Sequence, residues 1–149
     1  MEKTLILLKP DCLTAGHCGE VITRFEKAGF KILGMKMMHL SSALLKEHYA
    51  HLTDKPFYPS IEQFMQRSPV IAMALEGENA IAKIRDMAGP TDSKKAAKGT
   101  IRGDFGKDVQ ENILHASDSA ETAKAELKRF FAEGEIFGST QKVSCCCCG

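Results

Sequence analysis

Apolar positions along the chain fall into short blocks of two periods. Thr4 to Lys9 is a nearly continuous apolar run stopped by Pro10, the pattern of a strand buried on both faces. Gly19 to Ala28 carries Val21, Ile22, Phe25 and Ala28 at helical spacing, opposite Glu20, Arg24 and Lys27, and Gly29 ends it. Lys31 to Leu40 predicts a second strand, whose methionines (Met35, Met37, Met38) are core or interface filler. Ser41 or Ser42 caps a short helix through Tyr49, and another is predicted over Ser60 to Gln66 after the Pro56-Phe57-Tyr58-Pro59 turn. Pro69 to Glu76 is a further buried strand, and Asn79 caps a helix bearing Ala80, Ile81, Ile84 and Met87, with Arg85 off its apolar face.

From Gly89 to Lys107 the periodicity lapses. Glycines, threonines and the cations Lys94, Lys95, Lys98 and Arg102 alternate, a composition suited to phosphate oxygens, although no G-x-x-x-x-G-K-S/T sequence is present. Lys94, Lys95 and Lys98 are read as a solvated charge run. Beyond it, Asn112 to Leu114 is an apolar segment ending at His115. Asp118 is then expected to cap a helix, with Glu121 completing a capping box. That helix presents Ala120, Ala123, Leu127 and Phe130, with Glu126 beside the apolar face, and Ile136-Phe137 suggests a last short strand. Helices and strands in this order predict an α+β fold: a small antiparallel or mixed sheet covered by helices.

Composition narrows the function. The 149 residues suit one compact domain, and 20 basic against 19 acidic residues leave a net charge of +1, so nucleic acid is not expected as the main partner. No membrane-length apolar run and no signal peptide are visible, which points to a cytoplasmic protein without a membrane partner. Of six cysteines, Cys12 and Cys18 lie early and Cys145 to Cys148 are consecutive. No spacing suits a metal centre or a disulfide framework. Residues 1–140 are read as the domain and 141–149 as a Cys-rich tail, expected to be disordered.

Several separated segments, in one register over roughly residues 3–137, resemble the nucleoside diphosphate kinase family. They are Lys9-Pro10-Asp11, His48-Tyr49, Lys55-Pro56-Phe57, Gly77-Glu78-Asn79-Ala80, Gly99-Thr100-Ile101-Arg102-Gly103-Asp104-Phe105, and Asn112-Ile113-Leu114-His115-Ala116-Ser117-Asp118. The resemblance implies a ferredoxin-like four-stranded antiparallel sheet covered by helices. It also implies transfer of the γ-phosphate of a nucleoside triphosphate, mainly ATP, to a nucleoside diphosphate, by a ping-pong route through a phosphohistidine. Ribo- and deoxyribonucleotides would serve, and the chain would form a homo-oligomer, a tetramer or a hexamer.

By matching position His115 would be the nucleophile, supported by Tyr49, Ser117 and Glu126. Lys9 and Asn112 would meet the ribose and phosphate region, Phe57 would stack on the base, and Arg85, Thr91 and Arg102 would hold phosphates. Mg2+ would arrive on the nucleotide phosphates, with no protein ligands of its own. A noncatalytic nucleotide-binding or regulatory module on the same fold is the alternative; such a module would be expected to lack the nucleophile or an arginine. Which imidazole nitrogen attacks stays open, since Glu126 or a backbone carbonyl could fix the tautomer. His17, His39, His48 and His51 are read as surface or packing residues. The chain departs from the family pattern at Cys12, at Ala116, at Arg67-Ser68-Pro69 and at Pro90.

Overall fold

Strand β1 (Glu2–Leu8) is the centre of the molecule. In the computed structural model, which describes residues 1–138, β1 pairs antiparallel with β3 (Val70–Gly77) on one side and with β4 (Leu114–Ala116) on the other. Strand β2 (Lys31–Met38) adds antiparallel to β3, giving the order β2-β3-β1-β4. The apolar run of β1 now has a cause. Ile6 and Leu8 enter one core with Val21, Phe25, Met73, Leu75 and Ile84. Leu5 and Leu7 enter the other, with Leu45, Phe64, Met65, Leu127 and Phe130. A strand covered on both faces does not alternate, and each fully buried Leu or Phe contributes about 1.5–3 kcal/mol.

Helices α2 (Cys18–Lys27) and α5 (Ala80–Ala88) supply the first layer. Helices α3 (Ser42–His48), α4 (Tyr58–Gln66) and α7 (Ala120–Phe130) supply the second. The fold is therefore the four-stranded antiparallel α+β arrangement expected.

Several local expectations are corrected. Pro10 stops β1 but also starts a helix that the apolar pattern did not signal: it occupies the first turn of helix α1 (Pro10–Ala15), where its missing N–H costs nothing, and Gly16 closes the helix at φ 76°. The cap of α7 is Ser119, whose Oγ accepts the Thr122 N–H at 3.1 Å, so Asp118 and Glu121 form no capping box. Ser119 is extended at φ −154°, as a cap requires, and Asp118 is left to line a cavity. The aperiodic stretch after Gly89 contains a 3-10 turn (Ser93–Lys95) and helix α6 (Ile101–Phe105). Its Gly103 and Gly106 serve close packing, since a Cβ there would strike the Ala97 carbonyl and the Ser93 side chain. Ile136-Phe137 forms no strand; a single backbone bond joins the Phe137 N–H to Leu33 O at 2.8 Å. The expectation of disorder in the tail falls outside the described residues.

Candidate active site

The end of β1, helix α1 and the segment before β4 meet at one tight turn. The Lys9 N–H donates to Ile113 O at 2.9 Å, and the Leu114 N–H donates to Asn112 O at 2.9 Å. The second bond closes a three-residue γ-turn around Ile113, at φ 76°. A β-branched residue in this conformation is strained and persists only where its surroundings enforce it. Asp11, buried at 8 % exposure, does so by accepting the Ile113 N–H on Oδ2 at 2.9 Å.

One residue past that turn, β4 sets His115 opposite Leu7 and on the sheet face covered by α7. Its Nε2 lies 2.7 Å from Glu126 Oε2. Glu126 is itself buried, and the Ser117 hydroxyl donates to its Oε1 at 2.6 Å. Burial would raise the Glu126 carboxyl, but the hydrogen bonds from His115 and Ser117 and the positive potential around it hold it below the ordinary range. An ionised carboxylate only accepts, so His115 Nε2 carries a hydrogen, and in the neutral ring it is Nδ1 that keeps the lone pair. The ring edge is partly exposed and lines a cavity of about 1010 Å³.

Lys9 is buried, with Nζ 2.7 Å from Asn112 Oδ1 and 2.5 Å from Gln110 O, and desolvation pushes its pKa down to about 8. The Asn112 amide also donates to Thr91 O at 3.0 Å, tying the 89–92 segment to the floor. Arg102 is held by three backbone carbonyls: Asn112 from Nε, Gly89 from Nη1 and Leu114 from Nη2, at 3.1, 2.9 and 2.8 Å. Burial and then the Arg85 charge lower its pKa to about 10, still cationic at neutral pH. Arg85 donates to Ala116 O at 3.3 Å. Two cations thus converge beside His115, a field suited to anionic oxygens.

Every residue expected at the site lines this cavity except Ser117, which stands behind Glu126. Phe57 is at the mouth, 52 % exposed, while Tyr58 beside it is buried in packing. The Tyr49 hydroxyl is raised to about 12 by burial and by the Glu126 charge, and so stays protonated.

Sequence reasoning missed several members. His48 is no bystander: it is buried, its ring meets that of His115 edge-on at 4.6 Å between centroids, and its Nδ1 accepts from Arg129 Nη1 at 3.0 Å. Desolvation, then the neighbouring His115 and Arg129, push its pKa to about 3, so its 3.4 Å approach to Glu126 is not an ion pair. The signal was Leu45-x-x-His48, which places the imidazole on the buried face of α3. Val109, 58 % exposed, faces the mouth with Phe57, and Gln110 closes one wall; neither carried a visible signal.

His48, His115 and Glu126 offer nitrogen and oxygen atoms within 4.8 Å of one another. His115 Nε2, both Glu126 oxygens and His48 Nδ1 are already engaged with each other, with Ser117 and with Arg129, leaving His48 Nε2 as the one buried nitrogen of the cluster without a partner among the described residues, so the cluster fits hydrogen-bonded support better than a metal centre.

A family model described as nucleoside diphosphate kinase matches residues 2–136. A nucleoside diphosphate kinase of Parabacteroides distasonis is 55% identical over 137 residues, covering 92% of this chain and 90% of that protein. One from Pyrococcus abyssi is 49% identical, covering 91% and 87%. Among solved structures, a halophilic nucleoside diphosphate kinase from Halobacterium salinarum in complex with CDP superposes with a TM-score of 0.90 at 38% identity, covering 96% of this chain and 95% of that one. The Aquifex aeolicus nucleoside diphosphate kinase gives 0.86 at 40% identity, covering 91% and 98%.

Proposed function

The chain belongs to the nucleoside diphosphate kinase family, and from that premise we propose that His115 Nδ1 carries the phosphoryl group between two nucleotides. The enzyme is a phosphotransferase acting on nucleotides; a noncatalytic role is not favoured, since its relatives are kinases and the nucleophile and both arginines are kept. The observation that carries the residue assignment is the 2.7 Å contact between Glu126 and His115 Nε2, which leaves Nδ1 free on a cavity-lining ring.

In the first half-reaction Nδ1 attacks the γ-phosphorus of a nucleoside triphosphate, ATP being the main donor. The N–P bond forms as the bond to the bridging β,γ-oxygen breaks, and a nucleoside diphosphate leaves. Positive charge growing on the ring is met by Glu126, which Ser117 holds in place and Tyr49 borders. Arg85 and Arg102 face the transferring oxygens, with the Thr91 segment beside them. A second nucleoside diphosphate then attacks the phosphorus and restores the free histidine.

Lys9 and Asn112 hold the ribose and phosphate end, and ribo- and deoxyribonucleotides are both accepted. Phe57, with Val109 nearby, offers the base a flat apolar contact that does not read its edge, which suits every nucleobase. The phosphate end presents Lys9, Arg85 and Arg102 rather than a carboxylate cluster, which fits Mg2+ held by the nucleotide phosphates. When bound, Mg2+ neutralises phosphate charge.

We assign residues 1–140 to the kinase domain. A homo-oligomer, tetramer or hexamer, is supported by the edge strand β2, which exposes Met35 at 51 % and Met37 at 65 %. A cytoplasmic setting accords with the absence, among the described residues, of any helix long and apolar enough to cross a membrane.

The test is protein labelling with γ-labelled ATP and Mg2+, followed by GDP. Acid-labile, base-stable label on His115 that GDP removes is expected. In His115→Ala, transfer should fall by more than about a thousandfold while ATP still binds. Label surviving in that variant would remove His115 from the mechanism.

A further inference from the structure

Cys12 and Cys18 take no part in the chemistry above, yet they lie together beneath it. Their sulfurs are 3.7 Å apart, in contact, although they sit in different helices. The left-handed Gly16 reverses the chain after α1, and the His17 N–H bonds back to Cys12 O at 3.0 Å, which brings Cys18 over Cys12. Cys12 is fully buried in the core that includes Leu8, Ile113 and Leu114, whereas Cys18 is half-buried at its edge. Cys12 also follows Asp11 directly, the residue that enforces the Ile113 turn.

We propose that Cys12 and Cys18 form a reversible intrachain disulfide under peroxide, and that closing it loosens the turn that carries His115. A disulfide needs its sulfurs about 2.05 Å apart, so they must close by about 1.7 Å. Helix α1 has six residues and a glycine hinge at its end, so much of that movement falls on α1 and on Asp11.

The step balances with hydrogen peroxide as oxidant. The Cys18 sulfur attacks a peroxide oxygen, the O–O bond breaks, and one water and a Cys18 sulfenic acid result. The Cys12 sulfur then attacks the Cys18 sulfur and expels a second water, so two thiols lose two electrons and two hydrogens in all. Cys18 is the entry point because peroxide can reach it. Burial raises both thiols above the ordinary cysteine range, but the hydrogen bond from Cys12 offsets part of this at Cys18. The pair is therefore slow to oxidise, and Cys12 is its resolving thiol.

The experiment uses the full chain with Cys145 to Cys148 replaced by serine, so that the tail cannot exchange with the pair. After peroxide, alkylation and trypsin, both cysteines lie on one peptide, Thr4 to Arg24, because the Lys9-Pro10 bond resists cleavage. The expected product is that peptide, unalkylated and lighter by two hydrogens, with phosphotransfer at least about threefold slower and restored by dithiothreitol. Cys18→Ser should start with normal activity and lose neither mass nor rate; Cys12→Ala should stop at an oxidised Cys18. Two alkylated cysteines after peroxide would overturn the proposal, as would a fully closed disulfide that leaves the rate unchanged.

Discussion

Asp11 Oδ2 holds the N–H of Ile113 at 2.9 Å, and so fixes the backbone two residues before His115. Its Oδ1 is buried with no hydrogen-bond partner among the described residues, so the hydrogen bonding of this carboxylate goes to the turn. Asp11→Ala strands a buried N–H, at a cost of about 1–3 kcal/mol, and lets Ile113 leave φ 76°. The expected outcome is a loss of about tenfold to a hundredfold in kcat with nucleotide binding largely kept. Asp11→Asn keeps an acceptor oxygen and should recover most of the rate. Single-turnover phosphorylation of His115 is the measurement; equal losses in both variants would point to charge rather than geometry.

Lys9 gives the pH dependence. Its folded pKa is about 8 against an ordinary 10.5, with burial as the main cause. Between those values the unfolded chain holds a proton that the native one has lost, so this group's share of stability rises with pH across that window. Nucleotide binding moves the other way, because the free enzyme loses a cation that faces phosphate. With ATP and ADP, whose base does not titrate there, kcat/KM should fall above about pH 8. Lys9→Met should lie about tenfold lower at neutral pH and lack the alkaline limb. An unchanged limb in that variant would assign it elsewhere. In Asp11→Asn the limb should shift to lower pH, since the Asp11 charge now raises the Lys9 pKa.

The strands and most helices were legible because burial on two faces leaves an apolar run in β1 and β3, and the cap of α3 leaves a short polar residue at Ser41, whereas the cap of α7 fell one residue past the expected Asp118. The residues named through the resemblance of several segments to one family do line a single cavity, Ser117 apart, while their roles rest on the proposal above. What was hidden has physical reasons. Ile113 is β-branched and by local preference should avoid positive φ; only Asp11, 102 positions away in sequence, makes the turn possible. Glu126 sits one turn before Phe130 and by itself reads as helix surface, yet His115 and Ser117 bury it. His48 becomes a site residue only when α7 brings Arg129 to its Nδ1. The proposal of Nδ1 likewise rests on which atom of the ring Glu126 meets, which no sequence pattern carries.

Two contacts join α4 to the 106–112 segment across the mouth of the cavity. Gln110 Nε2 donates to Ser60 O at 3.0 Å, and Arg67 Nη2 lies 3.4 Å from Glu111 Oε1. Phe57 precedes α4 and Val109 precedes Gln110, so these contacts set the spacing of the two apolar lips. Neither contact is strong: an exposed ion pair contributes about 0–1 kcal/mol and a neutral hydrogen bond about 0.5–1.5 kcal/mol. Removing both with Arg67→Ser and Gln110→Ala should raise KM by up to about tenfold. The rise should be similar for ADP, GDP and CDP, with kcat at saturation unchanged, because the lips touch the base and not the reacting phosphorus. Added salt should weaken the wild type towards the Arg67→Ser value and leave that variant nearly unaffected. Steady-state kinetics at two ionic strengths decide the matter: a fall in kcat, or a loss confined to one base, would show that the mouth does more than set the grip on the nucleobase.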